Sequence, residues 1–300
     1  MTDVDVGGRH LRLSNLDKVL WPATGFTKGQ MIDYYARVAP AMLPHLAGRP
    51  VTLRRWPNGV EGGSFFEKNC PPHRPPWMET VTMGDVTYCR LEEPAALVWT
   101  ANLAAIELHP VLASAPDLKR PRSVVFDLDP GAPQADVLTC ARVSFLLRDA
   151  LDHLGLQAWV KTSGSKGLQL YVPTNGDVTY EQTRAFSLAL ARIMERSHPD
   201  LVVTTQDRSV RPGKVLIDWS QNTSFKSTVA VYSLRALPTP GVSTPVSWDE
   251  LGSALEDEDA EALRFSPDEV LDRVEGHGDL MAPVLDVAQE LPRLDAPSPT

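Results

Sequence analysis

The chain has 300 residues, 43% of them hydrophobic, with seven Trp, eight Phe and six Tyr; that buries a core and excludes wholesale disorder. No apolar run is long enough to cross a bilayer, residues 1–12 read as no secretory signal, and Cys70, Cys89 and Cys140 are too few for a disulfide framework, so a reduced cytosolic compartment is expected. The net charge of −9 is uneven: residues 1–126 carry 14 basic and 12 acidic side chains, residues 127–240 carry 12 and 11, and residues 241–300 carry 3 and 15, so the acidity belongs to the last sixty and a polyanionic partner is allowed for the rest.

Residues 27–46 read as a helix, with Thr27 as N-cap and Met31, Tyr34, Tyr35, Val38 and Met42 at helical spacing. Residues 51–56 read as a strand. Residues 69–77 hold Pro71, Pro72, Pro75 and Pro76 and read as a loop. Residues 94–108, rich in Ala and Leu, read as a helix, and 228–234 as strand-like. From residue 123 the order becomes regular: strand 123–128, helix 133–154, strand 157–162, a Gly/Ser turn at 163–167, strand 168–173, helix 179–197 and strand 214–219. That is a βαββαβ unit of the ferredoxin or RNA-recognition kind. An acidic helical stretch follows residue 238, and 295–300 read as a tail or linker.

The first strand of this unit ends Phe126-Asp127-Leu128-Asp129-Pro130-Gly131. Alternate residues share a face, so Asp127 and Asp129 point one way while Phe126 and Leu128 point toward the helices. In βαββαβ order the last strand lies antiparallel beside the first, which brings Asp218 of Val215-Leu216-Ile217-Asp218-Trp219 next to the pair. Three crowded carboxylates repel one another unless a cation lies between them, and hard divalent ions prefer oxygen ligands. A two-metal site for phosphoryl transfer follows; Asp-x-Asp before Pro-Gly as a plain turn or cap is the bland reading. Thr162-Ser163-Gly164-Ser165-Lys166-Gly167 offers backbone amides, hydroxyls and one cation to a triphosphate, although by itself it is equally a hairpin turn. It lacks Walker spacing and precedes a strand.

These segments, together with Leu16-Asp17-Lys18-Val19-Leu20-Trp21-Pro22, Phe65-Phe66-Glu67-Lys68-Asn69, Ile106-Glu107-Leu108-His109 and Leu216-Ile217-Asp218-Trp219-Ser220-Gln221-Asn222, resemble the polymerase domain of bacterial DNA ligase D, in the archaeo-eukaryotic primase superfamily. The resemblance spans roughly residues 6–294. It implies an α+β primase-polymerase fold, an RNA-recognition-like βαββαβ catalytic module packed on an N-terminal α/β module. Residues 1–294 would be one domain, divided into an N-terminal DNA-binding module (1–122), the catalytic module (123–240) and an acidic extension (241–294). The function implied is a template-directed, metal-dependent polymerase that adds nucleotides, ribonucleotides preferred, to DNA ends and short gaps in non-homologous end joining.

The same resemblance assigns residues. Asp127, Asp129 and Asp218 would be catalytic and hold two Mn²⁺ or Mg²⁺ ions. Ser163, Ser165, Lys166, Gln169, Gln221, Arg235 and His109 would contact the nucleotide. Asn15, Lys18 and Lys28 would receive a 5′-phosphate at the N-terminus of the first helix, Phe65, Phe66 and Lys68 would meet the template, and Arg208 and Arg211 the primer strand. Gln169 departs from the superfamily, which commonly has histidine there; it can donate to a phosphate but carries no charge. Taken alone, Lys18 and Lys28 are solvated lysines, His109 a helix-end histidine, Arg235 a surface charge, and Ser220-Gln221-Asn222 a turn. Implied partners are 5′-phosphorylated gapped DNA, nucleoside triphosphates, a DNA ligase and the Ku end-binding protein, with no membrane and a cytoplasmic, nucleoid-associated location. The chain shows no Lys-x-Asp-Gly ligase motif and no His-rich nuclease segment, as expected of a free-standing primase-polymerase or of a domain from a longer protein. Two other readings remain open: an Asp-x-Asp phosphohydrolase, against which Pro130 stands, and a non-catalytic single-strand-binding module, against which Asp127 and Asp129 stand on the sheet face.

Overall fold

The computed structural model describes residues 1–294; the expected tail, 295–300, lies outside them. The chain forms two compact units. The first takes Met1–Pro116, Ser227–Thr244 and Phe265–Asp279, and the second Asp117–Lys226, Pro245–Arg264 and the chain from Leu280 onward. This partition differs from the contiguous one expected. Residues 227–244 pack with the first unit through single backbone bonds, such as Ala230 N–H to Leu108 C=O at 2.9 Å, and the acidic segment is shared between both.

The first unit opens with a hairpin, β1 (Thr2–Val6) and β2 (Arg9–Leu13), and a short pair, β3 (Val19–Trp21) and β4 (Phe26–Thr27). Helix α1 (Lys28–Leu46) follows with Thr27 as N-cap, as expected, and Thr27 forms a reciprocal capping box with Gln30. The amides of Lys28 and Gly29 already donate to Lys18 C=O and Leu16 C=O, both at 2.8 Å, and that of Gln30 to the Thr27 hydroxyl. The first-turn N–H groups are therefore already bonded within the chain.

Strands β5 (Val51–Arg55), β6 (Phe65–Glu67), β7 (Thr80–Met83) and β8 (Val86–Cys89) build an antiparallel sheet. The expected helix 94–108 is half strand: α2 (Pro94–Asn102) ends, Ala104 turns the chain at φ 60°, and β9 (Ala105–Pro110) pairs with β5. Ile106 and Leu108 are fully buried there, a pattern that helix and strand share in a short apolar run. The thiol reading is corrected too. Cys70 and Cys89 are joined in a disulfide with Cα atoms 4.8 Å apart, because Cys70 N–H bonds Thr87 C=O at the edge of β8; Cys140 stays free and buried.

Two short strands, β10 (Ala113–Ser114) and β11 (Asp117–Pro121), carry the chain onward. The second unit contains β12 (Ser123–Pro130), α3 (Val137–His153), β13 (Trp159–Thr162), β14 (Leu168–Pro173), α4 (Tyr180–Ser197), β15 (Val202–Val203) and β16 (Val215–Asp218). Helix α3 begins at Val137, later than expected, because Asp136 caps it through Thr139. Strands β17 (Leu234–Ala236) and β18 (Pro240–Val242) belong to the first unit, and Tyr232 at φ 65° breaks the strand expected over 228–234. Strand β19 (Pro245–Val246) and helices α5 (Trp248–Glu256), α6 (Pro267–His277) and α7 (Pro283–Asp286) complete the chain.

The sheet of the second unit runs β15-β16-β12-β14-β13-β19, so its centre has the strand order of a βαββαβ fold, with one short strand added at each edge. Helix α3 buries Cys140, Val143, Leu147 and Leu151, and α4 buries Phe186, Leu190 and Met194. Phe126 and Leu128 are fully buried, whereas Asp127 and Asp129, on the alternate positions, are half-buried.

Candidate active site

Antiparallel register sets the site. Asp127 pairs with Asp218 across β12 and β16, and with Gln169 across β12 and β14; Gln169 pairs in turn with Lys161 on β13. A polar row, Lys161–Gln169–Asp127–Asp218, thus crosses four strands, with Lys161 fully buried. Gln169 donates to Asp127 Oδ1 at 3.0 Å, and its own Oε1 is buried without a partner. Gln221 bridges the acids, donating to Asp127 Oδ2 at 3.4 Å and Asp218 Oδ2 at 3.2 Å. Burial first, then the charges of Asp129 and Asp218, push the Asp127 carboxyl up to about 7, against the hydrogen bond from Gln169 and the charge of Lys161.

Three residues that read as a plain turn each have a task. The Ser220 N–H and hydroxyl both donate to Asp218 Oδ1, and Lys226 reaches the Ser220 hydroxyl and lies 3.9 Å from Asp218 Oδ2. The Asn222 side chain pairs with the backbone of Val125 in both directions, at 2.8 and 2.7 Å, and locks the turn to β12. Sequence reasoning missed Lys161, Ser220 and Lys226; the alternation of β13 with β14 was the available signal for Lys161.

Among the described residues, no three Asp, Glu, His or Cys side chains converge as a ready ligand cage. Amide and hydroxyl donors hold the oxygens of Asp127 and Asp218 instead. The donor set still fits a hard divalent cation: the ligand atoms would all be carboxylate oxygens, on one strand pair, and burial together with like charge has already raised Asp127.

The turn at 163–167 is closed by Ser163 N–H to Gly167 C=O at 2.8 Å, and the Ser163 hydroxyl accepts from Ser165 N–H and Gly167 N–H. Gly164 takes φ 66°, and a Cβ on Gly167 would strike Leu128 C=O, so the turn lies directly on the acid-bearing strand. Lys166 is exposed. Gly131 likewise leaves no room for a side chain against Arg211 C=O and bonds Lys214 C=O at 2.7 Å, so the loop at 204–213, with Arg208 exposed and Arg211 half-buried, is pinned beside the end of β12.

The remaining predicted residues lie in the first unit. His109 is on a strand, not a helix end, and Arg235 is not a surface charge; both bond Glu107, at 2.9 and 3.1 Å. Phe65 and Phe66 are both exposed on β6, 45% and 59%, and Lys68 is exposed beyond them. Lys28 is buried, donates to Ser14 C=O at 2.7 Å, and has its pKa lowered to about 8 by burial and by the charges of Lys18 and Arg55. Lys18 is exposed and donates to Pro57 C=O, and Asn15, three residues before Lys18, adopts φ 53°. Lys18, Lys28 and Arg55 bring three cations together against the one carboxylate of Glu67, which Arg55 bonds at 2.8 Å, and that surplus of positive charge favours an anion.

Residues 27–281 match the family described as LigD, primase-polymerase domain. The chain belongs to the LigD primase-polymerase domain family. It is 42% identical over 280 residues to the multifunctional non-homologous end joining protein LigD of Mycolicibacterium smegmatis, covering 91% of this chain and 36% of that protein. It is 41% identical to the multifunctional non-homologous end joining DNA repair protein LigD of Mycobacterium tuberculosis, covering 97% and 38%. The chain therefore spans a little over a third of these relatives. Its fold is similar to that of the polymerase domain of Mycobacterium tuberculosis ligase D solved in complex with DNA: TM-score 0.83, 40% identity, covering 93% of this chain and 99% of that one. The α+β primase-polymerase fold and the nucleotidyltransferase class expected of this LigD primase-polymerase domain both stand. No helix of the described residues is long and apolar enough to cross a membrane.

Proposed function

We propose that this domain is a template-directed, divalent-metal-dependent polymerase that adds nucleotides, ribonucleotides preferred, to DNA ends and short gaps during non-homologous end joining. The observation that carries the reading is Asp127 in register with Asp218 on antiparallel strands, with Asp129 on the same face. Asp127, Asp129 and Asp218 would hold Mn²⁺ or Mg²⁺; when bound, the ions activate the attacking oxygen and neutralise the leaving phosphates. The Gln221 amide and the Ser220 hydroxyl, which now occupy the acid oxygens, keep the carboxylates apart and oriented. Ser163, Ser165 and Lys166 present backbone amides, hydroxyls and a cation to the triphosphate, with Gln169, Gln221, His109 and Arg235 as further contacts. Lys18, Lys28 and Asn15 receive a 5′-phosphate, the exposed Phe65 and Phe66 with Lys68 stack on and steer the template, and Arg208 and Arg211 hold the primer strand. The fold-level reading keeps residues 1–294 as one primase-polymerase domain acting with a ligase and Ku at the bacterial nucleoid.

Primer extension on a 5′-phosphorylated gapped duplex with Mn²⁺ and all nucleotides tests this. A metal-dependent ladder supports the polymerase. Retention of DNA without extension would make the chain a binding module, and release of phosphate from small phosphoesters would make it a phosphohydrolase.

A further inference from the structure

In the first unit, one carboxylate gathers four partners. Glu107 is 2% exposed. Its Oε1 accepts from Arg235 Nε at 3.1 Å and from Ala236 N–H at 3.2 Å, and its Oε2 is bonded to Arg54 Nη1 at 3.3 Å and His109 Nε2 at 2.9 Å. Strand register explains the gathering. Glu107 and His109 lie two apart on β9 and share a face, Arg54 faces Glu107 across β5 and β9, and Phe66 faces Arg54 across β5 and β6. The Arg54 guanidinium lies 5.0 Å from the Phe66 ring centre, and the Phe66 ring lies 6.0 Å edge-on from His109. The Phe66 ring is exposed, and Arg54 Nε is buried without a hydrogen-bond partner.

We infer that Glu107 is a positioning residue that sets His109 and Arg235 for the nucleotide and links them, through Arg54, to the Phe66 surface on which a template base stacks. The inference rests on the nucleotide roles proposed above for His109 and Arg235. Both oxygens are needed: one orients the Arg235 fork together with the backbone of β17, the other orients the imidazole and Arg54. A buried acid without such partners would be protonated; here it is held ionised by three donors whose geometry it fixes in return. Burial lowers the His109 pKa, and so do Arg235 and Arg54, while Glu107 alone raises it. Tyr35, whose hydroxyl is pushed up by burial and by Glu107, also faces the cluster.

The test combines nucleotide kinetics with the NMR titration of His109 in the full chain. Glu107→Gln keeps the shape and removes the charge. The nucleotide KM should rise at least about fivefold while kcat at saturating nucleotide stays within about threefold, and the His109 midpoint should fall. Arg54→Gln, at a side chain 32% exposed, provides a second variant should Glu107→Gln not fold. It removes a cation, so the His109 midpoint should rise. His109→Ala and Arg235→Ala separate the positioning role of Glu107 from the nucleotide roles of His109 and Arg235. If these raise KM and Glu107→Gln does not, the positioning role is overturned. If neither raises KM, the nucleotide reading itself fails, and the inference with it. A His109 midpoint that stays put in both Glu107→Gln and Arg54→Gln would also overturn it.

Discussion

Burial pushes up the pKa values of both Glu107 in the first unit and Asp127 in the second, yet Glu107 ends at about 2 and Asp127 at about 7. The difference lies in their neighbours. Glu107 has the hydrogen bond of His109, then the charges of Arg235 and His109 and the amide of Ala236, and these outweigh burial. Asp127 has Asp129 and Asp218 beside it, and Lys161 with the neutral donor Gln169 does not offset them. The same sheet geometry, a row of side chains in register, builds an acid-poor cluster that suits an anion and an acid-rich one that suits a cation. A polymerase of the proposed kind needs both, one for the nucleotide and one for the metals.

The largest effects should come from breaking the acid-rich side. Asp127→Ala, Asp129→Ala and Asp218→Ala should each lower primer extension by at least about a hundredfold, with the fold kept, since misplaced ions cost catalysis far more than stability. A variant within about tenfold of the unaltered domain would remove that residue from the site.

The 5′-phosphate preference comes next. Binding by fluorescence anisotropy should be several-fold tighter for a 5′-phosphorylated gap than for its 5′-hydroxyl twin. Lys18→Ala combined with Lys28→Ala should erase the contrast, and salt should weaken it. Equal affinity for the two ends would refute the pocket.

The comparison itself predicts opposite pH slopes. Asp127 has a folded-state pKa above the ordinary 3.8, so its stabilising contribution is complete when protonated and is lost as pH rises through about 7. With chelator present, Asp127→Asn should melt about 3 °C or more above the unaltered domain at pH 8, the gap narrowing toward pH 5. Glu107 has a depressed pKa, so its contribution is present above the ordinary 4.5 and is lost as pH falls toward about 2. The deficit of Glu107→Gln at pH 7 should shrink in acid. Melting curves showing the same slope for both variants would break the contrast.

The smallest effect concerns Gln169. Gln169→His should tighten nucleotide binding by a few-fold at pH 6, and less at pH 8, because an imidazolium bonds phosphate more strongly than an amide. A nucleotide KM unchanged at pH 6 would contradict this.

Much of the acid-rich side was legible because its logic is local. Alternation within Phe126-Asp127-Leu128-Asp129 and the βαββαβ order together foretell Asp218 opposite Asp127. The acid-poor side was not legible. Glu107 and His109 sit in a run whose Ala and Leu content reads as helix, and only the turn at Ala104 makes it a strand. Arg235 reaches Glu107 from a segment 128 residues away, a pairing without a local trace. The interleaving of the two units was hidden for the same reason, as was the disulfide, since Cys70 and Cys89 are 19 residues apart in sequence and only the loop between β6 and β7, folded back on β8, brings them together. The Ser220-Gln221-Asn222 turn shows the opposite case, three polar residues whose spacing was visible and whose tasks depend on a neighbouring strand.

The central claim is that the cation site lies on the Asp127–Asp218 strand pair and is independent of the Glu107 cluster. Mn²⁺ binding followed by electron paramagnetic resonance, without DNA, tests it directly in the unaltered domain, Asp218→Asn and Glu107→Gln. The account predicts Mn²⁺ binding in the unaltered domain and in Glu107→Gln, and its loss in Asp218→Asn. Undiminished binding in Asp218→Asn, or loss confined to Glu107→Gln, would contradict it.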